Sequence, residues 1–155
     1  MTRVLLGLGA LLVMFALSAA FAADDHVVVS PDGLKWGPAP PSFPKGMEIA
    51  VVMGDPSKAG PFVLQGRVPA GYKIAPHTHP GVENVTVLSG TFHIGMGEKF
   101  DDTKGQAVKA GGFVSVPKGM VHYAWFSEPS VVQAHGEGPF ILTYVNPSDD
   151  PSQTK

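Results

Sequence analysis

Residues 71–96 read GYKIAPHTHPGVENVTVLSGTFHIGM, and this stretch decides the fold. It holds three short runs, Lys73 to His79, Glu83 to Ser89 and Thr91 to Met96, separated by Pro80-Gly81 and Ser89-Gly90. Pro-Gly and Ser-Gly pairs punctuate β-hairpins, and runs this short between them are strands, not helices. Alternation assigns faces: Glu83, Val85 and Val87 fall on one side with Asn84 and Thr86 opposite, and Phe92, Ile94 and Met96 oppose Thr91 and His93. A period of two also turns His77 and His79 to one face, within reach of one ion. After the reversal at Pro80-Gly81, Glu83 opens the next strand towards the same interior, so two imidazoles and a carboxylate share one side of a hairpin.

Outward from this stretch the pattern repeats. Further strands are predicted over Ile49 to Met53, Phe62 to Val68, Phe113 to Val116, Met120 to Phe126, Val131 to His135 and Ile141 to Val145. Nine or ten strands at this spacing predict an all-β sandwich or barrel. The 19 glycines and 15 prolines scattered over 155 residues exclude a helical bundle, and 44% hydrophobic residues exclude a disordered chain. Eleven basic and 13 acidic residues leave a net charge of -2 and no electrostatic footprint for nucleic acid. Without cysteine there is no disulfide framework, thiolate metal site or cysteine nucleophile.

Both ends lie outside the barrel pattern. Arg3, the apolar run from Val4 to Leu17 and the ending Ala20-Phe21-Ala22 have the layout of a secretory signal, cleaved after Ala22, which predicts a periplasmic or secreted protein. The alternative is an uncleaved membrane anchor, for which 20 residues just suffice. The expected organisation is a signal peptide over 1–22, a proline-rich arm over 23–46, a β-barrel domain over 47–148 and a flexible tail over 149–155. In the arm, Trp36, Phe43 and the triplet Val27-Val28-Val29 predict packing along the domain, across a barrel mouth or a dimer interface. The loop from Glu98 to Lys104 is expected to be a solvated hairpin tip.

A third imidazole, His122, opens a run after the turn Pro117-Lys118-Gly119, and only folding could bring it to the other three groups. Here the sequence resembles the cupin family. Gly71, His77, His79, Glu83 and Gly90 reproduce its first motif, and Gly111, Pro117, Gly119 and His122 its second, with 20 residues between them. The second motif usually ends in Asn, where this chain has Phe126. The resemblance implies a single-domain jelly roll, or double-stranded β-helix, with His77, His79, Glu83 and His122 binding one divalent ion. Such a ligand set accepts Fe, Mn, Ni, Cu or Zn and leaves an octahedral ion two open positions, which suits a reactive centre.

The remaining candidates are weighed by parity. Phe126 shares a face with His122 and is expected to wall the cavity near the metal, together with Phe92. Gln133 and His135 share a face and are candidate polar cavity groups. His93 and His26 are expected at the surface, and Tyr123 and Trp125 to pack between sheets or subunits. Arg67, the one arginine beyond residue 3, falls outward beside Gln65, so a carboxylate substrate has no bidentate partner. This argues against oxalate or sugar-nucleotide chemistry and for an apolar ligand that chelates the metal directly, such as an enolate, catechol or diketone. A metal-dependent oxygenase of dioxygenase type is therefore expected, the alternative being a non-catalytic module that binds or senses a small molecule or metal. The partners expected are a small-molecule substrate and, by family analogy, a second copy in a homodimer.

Overall fold

The computed structural model describes residues 26–153, so the signal peptide expected over 1–22 lies outside the described residues. Eleven strands follow in chain order: β1 (Gly37–Pro38), β2 (Glu48–Met53), β3 (Gly60–Val68), β4 (Lys73–Thr78), β5 (Glu83–Ser89), β6 (Thr91–Met96), β7 (Gln106–Lys109), β8 (Phe113–Val116), β9 (His122–Phe126), β10 (Ser130–Gly138) and β11 (Thr143–Tyr144). They form two antiparallel sheets, one ordered β1-β2-β3-β10-β5-β8 and the other β11-β4-β9-β6-β7. Apart from the paired neighbours β1-β2, β2-β3 and β6-β7, consecutive strands lie in opposite sheets, as in the expected jelly roll. The two strands the sequence reading omitted are β1, which is two residues long, and β7, whose Gln106–Lys109 shows no apolar alternation.

Inward rows of the sheets meet in a core of Phe62, Leu64, Val85, Val87, Ile94, Ala124, Phe126, Val132 and Ala134. Burying each large side chain contributes roughly 1.5–3 kcal/mol. Cross-strand register confirms the parity assigned to β5 and β6: Val85 and Val87 face Ala134 and Val132, and Phe92 and Ile94 face Phe126 and Ala124. Met96 keeps the inward parity, opposite His122, yet is 52% exposed because its strand ends at the open mouth.

The arm packs on the domain through Phe43 and Trp36 as expected, though not through the valine triplet. Phe43 and Ala39 contact the core, Tyr72 and Tyr144 donate their hydroxyls to the carbonyls of Pro44 and Ser42, and the Arg67 guanidinium lies 4.1 Å over Trp36. The valine triplet stays exposed, Val28 at 83%. The loop over 98–104 is not a bare solvated tip. Phe100 folds back onto Tyr123 and Trp125, at centroid distances of 5.0 and 5.8 Å, and Tyr123 donates its hydroxyl to the Asp101 carbonyl. Trp125 also stacks on His93, and its ring lies so close to Gly105 that no Cβ would fit there, so its outer face is covered by its own chain.

Candidate metal centre

His77 points inward only because β4 is irregular. Ile74 faces Ala124 and His77 faces His122, so three residues of β4 step past two of β9. Strict alternation from Ile74 would turn residue 77 outward. The bulge at Ala75-Pro76 removes that conflict, and Pro76 suits it because the site needs no ladder N–H. His79 follows just past the strand, and its carbonyl accepts the N–H of Gly119 at 3.0 Å. Gly119 has φ +71°, a conformation glycine adopts without strain, so the turn preceding His122 is fastened directly to the His-Thr-His segment.

The three imidazoles are buried, His77 at 3%, His79 at 5% and His122 at 2% exposure, and one ring nitrogen from each lies within 4.8 Å of the others. Their other nitrogens are tied to backbone carbonyls: Nδ1 of His77 to Ala75 at 2.7 Å, of His79 to Ile141 at 2.9 Å and of His122 to Met120 at 3.0 Å. A carbonyl only accepts, so each Nδ1 carries the proton and each Nε2 is the nitrogen that can offer a lone pair. Backbone carbonyls holding the far nitrogen of each imidazole are the usual support of metal-ligating histidines.

Glu83 completes the set, with Oε2 3.2 Å from Nε2 of His122 and 3.5 Å from Nε2 of His79. Burial alone would raise its carboxyl, but the adjacent His122 and His79 imidazoles outweigh that and hold it well below the usual carboxylate range. Burial lowers His122, and the adjacent carboxylate overcomes this and raises it. His77 is pushed down to about 3 by burial and by the other two imidazoles, so it is neutral at physiological pH.

One atom tests whether these residues fit a cation. Nε2 of His79 is fully buried and makes no hydrogen bond. Such an orphan costs about 1–3 kcal/mol unless something else satisfies it. A divalent ion among the three Nε2 atoms and Glu83 would do so, and neutral nitrogens plus one carboxylate form a suitable donor set for Fe, Mn, Ni, Cu or Zn. The residues fit the group.

The walls of the site differ from those expected. Phe140 stacks on His79 at 4.5 Å between centroids and packs on Phe62 at 5.2 Å, while the Tyr144 ring lies 5.9 Å from His77. Neither was singled out in the sequence, since no strand period marks the segment between β10 and β11. Phe126 and Phe92 do point inward and pack together at 5.5 Å. Phe126, however, lies four residues from His122 along one strand, about 13 Å, at the closed end of the barrel. Gln133 and His135 are on the outer face: Gln133 pairs with Gln65, whose side chain donates to it at 3.2 Å, while the inward positions of β10 are Val132 and Ala134. The parity reading left their face undetermined, and the register settles it. His93 is outward as expected, with Nε2 3.1 Å from the Ser127 hydroxyl.

Residues 24–141 match the family model described as the ChrR cupin-like domain. No curated protein matches the sequence. Among solved structures, a candidate acetylacetone dioxygenase from Methylibium petroleiphilum PM1 is 22% identical, with a TM-score of 0.65 over 84% of this chain and 88% of that one. An acetylacetone dioxygenase from Acinetobacter johnsonii is 18% identical, with a TM-score of 0.63 over 88% and 87%. The polyketide cyclase RemF from Streptomyces resistomycificus is 16% identical, with a TM-score of 0.67 over 83% and 92%. At these identities the likeness is one of fold.

Proposed function

We propose, from the premise that this chain belongs to the ChrR cupin-like family, that it is an exported metal-dependent oxygenase acting on a small, neutral, apolar molecule that chelates the metal, such as a 1,3-diketone, enolate or catechol. The observation that carries this reading is the convergence of three tautomer-locked imidazoles and one carboxylate, with Nε2 of His79 buried and unsatisfied. His77, His79, His122 and Glu83 would hold one divalent ion. Bound there, it would supply Lewis acidity and, if redox-active, electron exchange with oxygen.

The chain's own groups set what can enter. Phe140, Tyr144 and Phe62 give the site apolar walls that exclude water. Arg67 is engaged outside, 3.3 Å from Glu48 and over Trp36. A ligand carboxylate would meet the Glu83 carboxylate, which disfavours it, whereas a neutral oxygen chelate meets apolar walls. Two of the structural neighbours carry the name acetylacetone dioxygenase, and a diketone is the simplest molecule of this class.

The test is oxygen uptake by protein loaded in turn with Fe(II), Mn(II), Ni(II) and Cu(II), offered diketones, catechols and flavonols. Uptake with at least one metal and one neutral chelator, lost in His79→Ala, is expected. No uptake across the panel overturns the reading. A non-catalytic capture module is the second reading, favoured by one feature: Tyr144, whose ring lies beside His77, gives its hydroxyl to the Ser42 carbonyl instead of the site. Retention of a small ligand through purification without turnover would select it.

A further inference from the structure

The metal site adjoins a second cavity. A pocket of about 380 Å3 is lined by Ile49, Val51, Leu64, Phe43, Phe140 and Ile141, among others. That volume lies at the small end of the range for ligand sites. Its floor belongs to the barrel interior, because Ile49 and Val51 of β2 pair with Gly66 and Leu64 of β3, and Leu64 is a core residue. Val51 therefore has inward parity and is still 44% exposed, so the inner face of the six-stranded sheet opens to solvent here.

Two lining residues touch the candidate metal ligands. The Phe140 ring stacks on His79, and the Ile141 carbonyl accepts the His79 Nδ1–H. Phe140 is thus the partition between pocket and site. It sits in a segment with no strand pairing, held by its N–H to the Pro56 carbonyl at 2.7 Å. The pocket offers no free charge. Asp55, at its rim, is occupied by the Ser57 hydroxyl and N–H and by Lys58 at 2.8 Å. An anionic tail finds no partner there, and an uncharged apolar one buries its surface.

We propose that this pocket receives the apolar tail of the substrate, with Phe140 turned aside as the specificity-determining wall, so that preferred substrates are chelators bearing an aryl or branched alkyl substituent. The inference rests on the reading of the site as a binder of neutral chelators. Calorimetric titration of the Zn(II)-loaded protein with acetylacetone and with 1-phenyl-1,3-butanedione separates the two claims. Val51→Trp fills the pocket from its exposed edge without touching a metal ligand. It should weaken the phenyl diketone at least tenfold and acetylacetone less than twofold.

Equal effects on both diketones overturn the tail pocket and leave the proposed function standing. Failure of both to bind wild type that has taken up Zn(II) overturns both claims. Methyl NMR of the wild type gives an answer independent of any variant. Adding the phenyl diketone should shift Ile49, Val51, Leu64 and Ile141, while shifts confined to Val63 and Val82, on the other side of β3, would refute the assignment.

Discussion

At the scale of single residues, His77, Glu83 and His122 do different work in the absence of metal. His77 is held neutral down to about pH 3, whereas its unfolded value is 6.5. Between those values the unfolded chain binds a proton that the fold refuses, so acidification through this window removes stability, by up to about 5 kcal/mol. Glu83 acts in the same direction, its contribution present above the ordinary carboxylate range and lost as pH falls through its lowered value. His122 opposes them: its raised value makes its stabilisation complete below 6.5 and lost as pH climbs. Between pH 6.5 and 4 it is chiefly His77 that changes its contribution, because that of His122 is already complete and that of Glu83 is lost only below the ordinary carboxylate value, so the chelator-treated protein should melt at progressively lower temperature over that range, measured by scanning calorimetry. A melting temperature unchanged or rising over that range would contradict this electrostatic account.

The four candidate ligands were legible in the sequence because their spacing is unusual and their residue types carry the chemistry. Their support was not. The carbonyls of Ala75, Met120 and Ile141, which fix the tautomers, belong to residues whose side chains say nothing about that role. Phe126 shows the limit of parity in another way. Period two gives the face correctly but not the depth, and four residues of strand carry the ring out of reach of the site.

At the scale of elements, β4 is the decisive piece. Its bulge lets both Ile74 and His77 face inward across from Ala124 and His122. Deleting Ala75 leaves two steps between Ile74 and His77, matching the two between Ala124 and His122, so plain alternation still aims His77 inward. The deletion variant should keep a β-type circular dichroism spectrum and lose less than tenfold in Zn(II) affinity. A loss of tenfold or more would mean that the extra residue is needed for more than parity. In the sequence only Pro76 hints at the irregularity, which is why the strand was read as regular from Lys73 to His79. Gln133 and His135 illustrate the complementary limit: a polar pair at spacing two fits either face, and only pairing with Gln65 fixes it outward.

At the scale of the whole molecule, the two sheets form an apolar body with Phe92 and Phe126 packed towards one end and the three histidines gathered towards the other. Turn spacing and composition predicted that architecture, since Gly and Pro recur too often for helices and the apolar alternation is regular. The folded-back loop bearing Phe100 was hidden by its charged neighbours Lys99, Asp101, Asp102 and Lys104, which read as solvated. With Trp125 covered from within, a homodimer would have to use other apolar surface, such as Phe113 and Leu88 on the outer face of the six-stranded sheet. What unites the molecule is a buried site in which three imidazole nitrogens and one carboxylate face each other. Anomalous diffraction from crystals grown with Zn(II) tests that directly. The account predicts a single strong peak about 2.0–2.2 Å from Nε2 of His77, His79 and His122 and from a Glu83 carboxylate oxygen. A cavity without a peak, or a peak that omits His77 or His122, would contradict it.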